Sequence, residues 1–226
     1  MPQTSIFQWR DGAGWLVLSG GGDFHTGQTE EVDLHVLTKT LSLNPLAYLW
    51  SASDIENADD YLTYLQDLGG RTGFLVDLTS EQDSALQEQL KEAGIIILGD
   101  GSQPERLVKA LTPPIKAAID HAYREGATIY AQGKLAALLA AWMPGPSLSL
   151  QPGWDWLTKA IVVSPYQAKD DSQPLKNWLG QQLPTMFGLG IPAGTALAFS
   201  PQGTLETWGQ GQATVFLGRD FLPNKP

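Results

Sequence analysis

Ala127–Met143 reads ATIYAQGKLAALLAAWM. The run Thr128, Ile129, Tyr130 is β-branched and aromatic, which suits a strand. Gln132-Gly133 follows, and then an alanine- and leucine-rich segment that predicts a helix with almost no connecting residues. A strand entering a helix through so tight a turn has the outline of a nucleophile elbow, G-x-S-x-G, whose strained apex lifts a reactive side chain over the end of a sheet. The five positions here are Gly133-Lys134-Leu135-Ala136-Ala137. They keep the small residues that permit the bend, but place leucine where the nucleophile would stand.

Working outward, the segments before the elbow alternate between two periods. Leu46–Trp50, Phe74–Val76 and Ile95–Leu98 are short continuous apolar runs bounded by turn residues, the pattern of buried strands. Between them, Thr29–Leu41, Asn57–Leu68, Glu81–Ala93, Pro104–Leu111 and Ile115–Glu125 carry apolar residues at helical spacing. Ser80 with Asp83 forms a capping-box variant before the third of these, and Pro104 stands where a helix tolerates proline. At the N-terminus, Ile6–Trp9 and Trp15–Leu18 flank Asp11-Gly12, a hairpin signal. Past the break at Pro144-Gly145-Pro146, a strand at Ile161–Val163, a helix around Leu175–Leu183 and three strands (Thr195–Phe199, Thr204–Trp208, Gln212–Leu217) predict an antiparallel meander.

Strands alternating with helices imply right-handed β-α-β units. The expected fold class is therefore α/β: three layers, a mostly parallel sheet with helices on both faces, an N-terminal hairpin and C-terminal antiparallel strands. Working loops of such sheets lie beyond the carboxyl ends of the strands. The loops at Gly20, Gly99 and Gly133 are thus expected to converge at one edge.

The 226 residues suffice for one large α/β domain spanning 1–226, with two small ones as the alternative. A formal charge of -10 without a basic run argues against a nucleic-acid partner. The absence of cysteine excludes disulfides, thiolate catalysis and Cys-type zinc sites. Leu135–Met143, the longest apolar stretch, is too short to span a bilayer, so no membrane partner is expected. Met1–Gly12 lacks the pattern of a signal peptide, and a cytoplasmic location is the expectation.

The order of motifs resembles the cyanophycinase and dipeptidase E family of serine peptidases, which share the class I glutamine amidotransferase-like (flavodoxin-like) fold. Ala93–Leu111 (AGIIILGDGSQPERLVKAL) is similar to the family's strand, glycine loop and helix. Thr112–Ala137 is similar to its helix, strand and G-x-S-A-G turn. Gly188–Gly209 (GLGIPAGTALAFSPQGTLETWG) resembles its characteristic G-I-G-I-x-x-G-T-A-L strand and hairpin. On this resemblance the nucleophile position falls on Leu135. The catalytic histidine falls on Tyr166 or, with another gap placement, Lys169. The oxyanion-type donors fall in Gly99-Asp100-Gly101-Ser102. Nucleophile and base are both missing, and a triad works as a unit. The resemblance therefore implies a catalytically inactive homologue acting as a binding or interaction module.

An alternative retains a hydrolase with a rebuilt site at the same edge. Ser102 would be its nucleophile or simply a turn serine; Lys134 would be a desolvated base or simply a solvated helix-start lysine. Asp23 and His25 could pair over a metal, but two ligands without a third make a surface pair the ordinary reading. Trp154 and Trp156 would line a pocket, form an interface or pack in the core. The sequence calls for no cofactor and no metal. The partner is left as an unknown small molecule, a peptide or a protein, and self-association of the chain stays open.

Overall fold

The computed structural model describes residues 6–50, 55–78, 84–101 and 103–221. Two sheets organise it. The first has seven strands in the order β11-β10-β1-β5-β4-β2-β3. Its parallel centre is β1 (Leu16–Ser19), β5 (Thr128–Ala131), β4 (Ile95–Leu98), β2 (Leu46–Leu49) and β3 (Gly73–Val76), and β10 (Thr195–Phe199) and β11 (Leu205–Gly209) are added antiparallel. Residues of β1, β2, β4 and β5 are buried throughout, as expected for strands covered on both faces.

Strand periodicity divides that burial. Val17, Ile97 and Tyr130 point to one face, where α1 (Glu30–Lys39) and α2 (Ile55–Asp67) pack through Val32, Val36, Tyr61 and Leu65. Leu16, Leu18, Ile96 and Leu98 point to the other, against α3 (Ser84–Lys91) and α5 (Pro113–Arg124). The expected fold class, an α/β arrangement with helices on both faces, is the observed one. Helix α4 (Pro104–Ala110) follows β4 and begins on Pro104, as its sequence predicts.

The second sheet was not legible in the sequence. Its order is β12-β9-β8-β6-β7, built from β6 (Ala140–Pro144), β7 (Leu150–Pro152), β8 (Leu157–Val163), β9 (Phe187–Gly190) and β12 (Thr214–Leu217). Ala160, Val162, Phe187 and Leu189 face the main core. Ile161 and Val163 face α6 (Ala168–Asn177) and its π-helical extension Trp178–Gln182.

Four expectations are corrected. The segment after the elbow is not a long helix: Gly133–Leu139 is a 3₁₀ turn, and the apolar run then continues as β6. Short apolar runs do not distinguish buried helix from buried strand by period alone, which is why this one misled. The N-terminal hairpin does not form, because Trp9 bridges Leu157 and Arg10 N–H donates to Trp156 O (2.6 Å), drawing that segment to the second sheet. The last strand, β12, pairs with β9 rather than extending the β10–β11 hairpin. The helix expected around 175–183 begins seven residues earlier, at Ala168. The Ser80/Asp83 capping box lies outside the described residues.

Candidate functional site

Three loops meet at the carboxyl edge of the parallel strands. Gln132 N–H donates to Leu98 O (3.1 Å), continuing the β4–β5 ladder past the last strand residue. Gly99 N–H donates to Leu49 O (3.1 Å), and Gly194 N–H to Gly21 O (2.8 Å). Close approach confirms the convergence. A Cβ on Gly21 would lie 2.6 Å from Asp100 Oδ2 and 3.2 Å from the Gly133 Cα. The loops after β1, β4 and β5 therefore share one point, as the sequence predicts.

The bend itself sits two residues earlier than its motif suggests. Gln132 is still extended (φ -110°, ψ 145°), and Gly133 takes the left-handed conformation with φ 53°. Leu135 is not among the residues of positive φ, and its side chain is fully buried in the core. The apex of the elbow is thus Gly133, a residue without a side chain. Glycine is the residue that takes this conformation without steric cost. A second constraint acts on the same atom, for a Cβ here would overlap the carboxylate of Asp100.

That carboxylate sits directly against the apex. Asp100 Oδ1 accepts from Gly101 N–H (2.8 Å), and the Lys134 N–H lies near enough to the same carboxylate to favour its charge, without forming a bond of ordinary geometry. In an elbow the N–H following the apex residue is one of the oxyanion donors. Burial raises the Asp100 carboxyl above its ordinary range, while the two N–H groups and the Lys134 charge hold it down in part. The Lys134 side chain is exposed.

The remaining sequence candidates fall apart in space. Tyr166 is buried under α6, its ring against Gly190 and its hydroxyl 2.6 Å from Ser172 Oγ; Lys169 is exposed on α6. Asp23 caps its own turn by accepting from His25 N–H (3.0 Å), and both residues are exposed. Among the described residues no three His, Cys, Asp or Glu side chains come together in a way that could hold a metal. Trp156 is buried against Tyr123, and Trp154 is half-buried beneath Lys116. Neither forms an exposed aromatic face or lines the cleft described next. Gly99 and Gly101 keep their expected loop, Ala136 and Ala137 are buried behind the turn, and Ser102 lies outside the described residues. His35 stacks on Trp208, and His121 is exposed on α5.

Beside the elbow opens a cleft of about 700 Å³. Lys134 and Ala137 form one wall, Val108 of α4 another, Met143 and Pro144 of β6 a third, and Val163–Pro165 close it. Its size suits a small ligand or a short peptide segment.

One buried group was missed by the sequence. Asp33 of α1 is fully buried, and its Oδ1 accepts from the hydroxyls of Tyr61 (2.7 Å) and Tyr130 (2.9 Å). The Tyr61 hydroxyl accepts in turn from Gln132 Nε2 (2.7 Å), next to the apex. The buried Thr29 hydroxyl lies near enough to help hold the carboxylate down, but neither it nor Asp33 Oδ2 makes a bond of ordinary geometry. Burial pushes the Asp33 carboxyl up to about 6, against hydrogen bonds that pull it down. An acid in the first turn of a helix reads as a dipole partner, which masks this role.

The fold is peptidase E-like. No family model matches the chain, and no curated protein does. Solved structures do match. A peptidase from an acI-B1 actinobacterium superposes with a TM-score of 0.73 at 15% identity, over 92% of this chain and 93% of that one. A Listeria monocytogenes EGD-e protein assigned to peptidase E gives a TM-score of 0.60 at 12% identity, over 88% and 99% respectively. Among the described residues no helix is long and apolar enough to cross a membrane.

Two outcomes follow from the edge. The folded chain holds the Asp33 proton to about pH 6, whereas an unfolded chain releases it near 3.8. Stability from this group is therefore full below pH 4 and is lost as pH rises towards 6, by roughly 3 kcal/mol. Urea unfolding from pH 3.5 to 7 is expected to show that loss in the unaltered protein and not in Asp33→Asn. A difference between the two that stays constant with pH would contradict it. Separately, Gly133→Ala is expected to cost at least about 2 kcal/mol, combining left-handed backbone and overlap. In an Asp100→Ala background the cost should fall towards about 1 kcal/mol, the backbone share alone.

Proposed function

We propose that this chain is a catalytically inactive homologue of cyanophycinase- and dipeptidase E-type serine peptidases. It acts as a binding module through the cleft beside its elbow. The observation that carries this reading is the carboxylate of Asp100, which is bonded to Gly101 N–H and fills the space of a side chain at an apex that is glycine.

Acyl transfer at an elbow needs three things: an apical nucleophile, a base within hydrogen-bond reach, and free donors for the oxyanion. Gly133, at the nucleophile position, offers no oxygen. Of the two positions where the resemblance places the histidine, Tyr166 bonds Ser172 and Lys169 is exposed on α6, so neither supplies an imidazole. Asp100 sets a carboxylate against the apex, where an oxyanion would develop, so a second anion there would be repelled. Loss of a triad member costs several powers of ten in rate, and loss of an oxyanion donor about two to three.

What the edge keeps is shape. The turn still positions Lys134 and Ala137 at the cleft wall, and the 700 Å³ space beside it remains open to a small molecule or a peptide. We take the whole chain to be one domain serving that cleft.

The reading is tested by incubating the purified protein with a serine-directed fluorophosphonate, with Asp-containing dipeptides and with cyanophycin-like polymer. The expected result is no adduct by intact mass and no hydrolysis above the buffer rate. A stoichiometric adduct, mapped by peptide mass to this edge, would overturn it in favour of a rebuilt hydrolase.

A further inference from the structure

We infer that the cleft beside the elbow takes an apolar cation: a ligand with a hydrocarbon body and one ammonium group. This rests on the reading of the cleft as a binding site, and it adds the chemistry of what enters.

The body is set by the walls. Val108, Met143, Pro144 and Val163 present hydrocarbon, and apolar surface in a concave site is favourably removed from water by an apolar ligand. The charge is set by the rim. Glu105 in the first turn of α4, with Asp170 and Asp171 in the first turn of α6, line the same cleft, against Lys134 as the one cation among the described residues that line it.

One of these charges is already engaged: Asp171 Oδ2 accepts from Gln167 N–H (2.6 Å). Lys134 is exposed and in no ion pair among the described residues, so it offsets one carboxylate of the rim and leaves the balance negative. Glu105 and Asp170 are exposed, and neither is ion-paired among the described residues. They are the groups a ligand ammonium would meet.

An anionic ligand fares badly on three counts. It faces Glu105 and Asp170, it meets the Asp100 carboxylate against the apex with Gly101 N–H already taken, and it approaches a chain of net charge -10. Exposed charges act modestly one by one, so the combined preference for cation over anion should be about tenfold at low salt.

The test uses n-octylammonium and n-octanoate, both below their micellar concentrations, with methyl-¹³C methionine as the reporter. The chain has three methionines; Met143 lines the cleft, whereas Met186 packs with the residues beneath α6. The expected result is a saturable shift of the Met143 methyl signal, with octylammonium binding about tenfold tighter than octanoate. That gap should close to within about twofold in the E105Q/D170N double variant and at high salt. Octanoate binding as tightly as octylammonium would overturn the inference, as would a Met143 signal that octylammonium leaves unmoved. Neither result bears on serine labelling, so failure here and failure of the inactive-homologue reading are separable.

Discussion

Asp100 and Gly133 exclude one another's alternatives. The carboxylate fills the volume that any side chain at the apex would need, and the absence of that side chain leaves room for the carboxylate. A buried carboxylate is costly unless donors meet it, and here Gly101 N–H bonds it while the nearby Lys134 N–H and charge favour its ionised form. The elbow is thereby held in shape by an internal anion.

Beneath this surface a hydrogen-bonded scaffold serves the same end. Asp33 joins α1 to α2 through Tyr61 and to β5 through Tyr130, and Tyr61 passes the connection to Gln132. Two hydroxyl donors without a counter-charge stabilise the carboxylate only partly, which is why its proton is held to about pH 6. On the opposite face, Leu135, Leu138 and Leu139 of the 3₁₀ turn bury themselves between the two sheets. The turn is thus fixed from above by charge, from one side by hydrogen bonds and from the other by packing.

Much of the first sheet was legible because its strands are short apolar runs closed by glycine, proline or asparagine, as at Ile95–Leu98 before Gly99. The convergence of the Gly20, Gly99 and Gly133 loops followed from β-α-β chirality alone. The second sheet was hidden because Leu135–Met143 is apolar at nearly every position, leaving no period to separate 3₁₀ turn, strand and helix. The Asp11-Gly12 signal was local and lost to tertiary pairing with β8. The apex was misplaced because the motif was matched on its first glycine, whereas backbone conformation put that glycine at the tip. Nothing in the sequence could show that Asp100 would turn back onto the Gly101 N–H and against the apex.

The most direct measurement is a pH titration of the backbone amides by proton–nitrogen NMR. If Asp100 sits directly against the apex, the Gly101 and Lys134 amide protons will titrate together. Their shared midpoint will lie above the ordinary aspartate value of 3.8, and the transition will vanish in Asp100→Asn. Amides that move separately, or that keep their transition when Asp100 is replaced, would contradict the account.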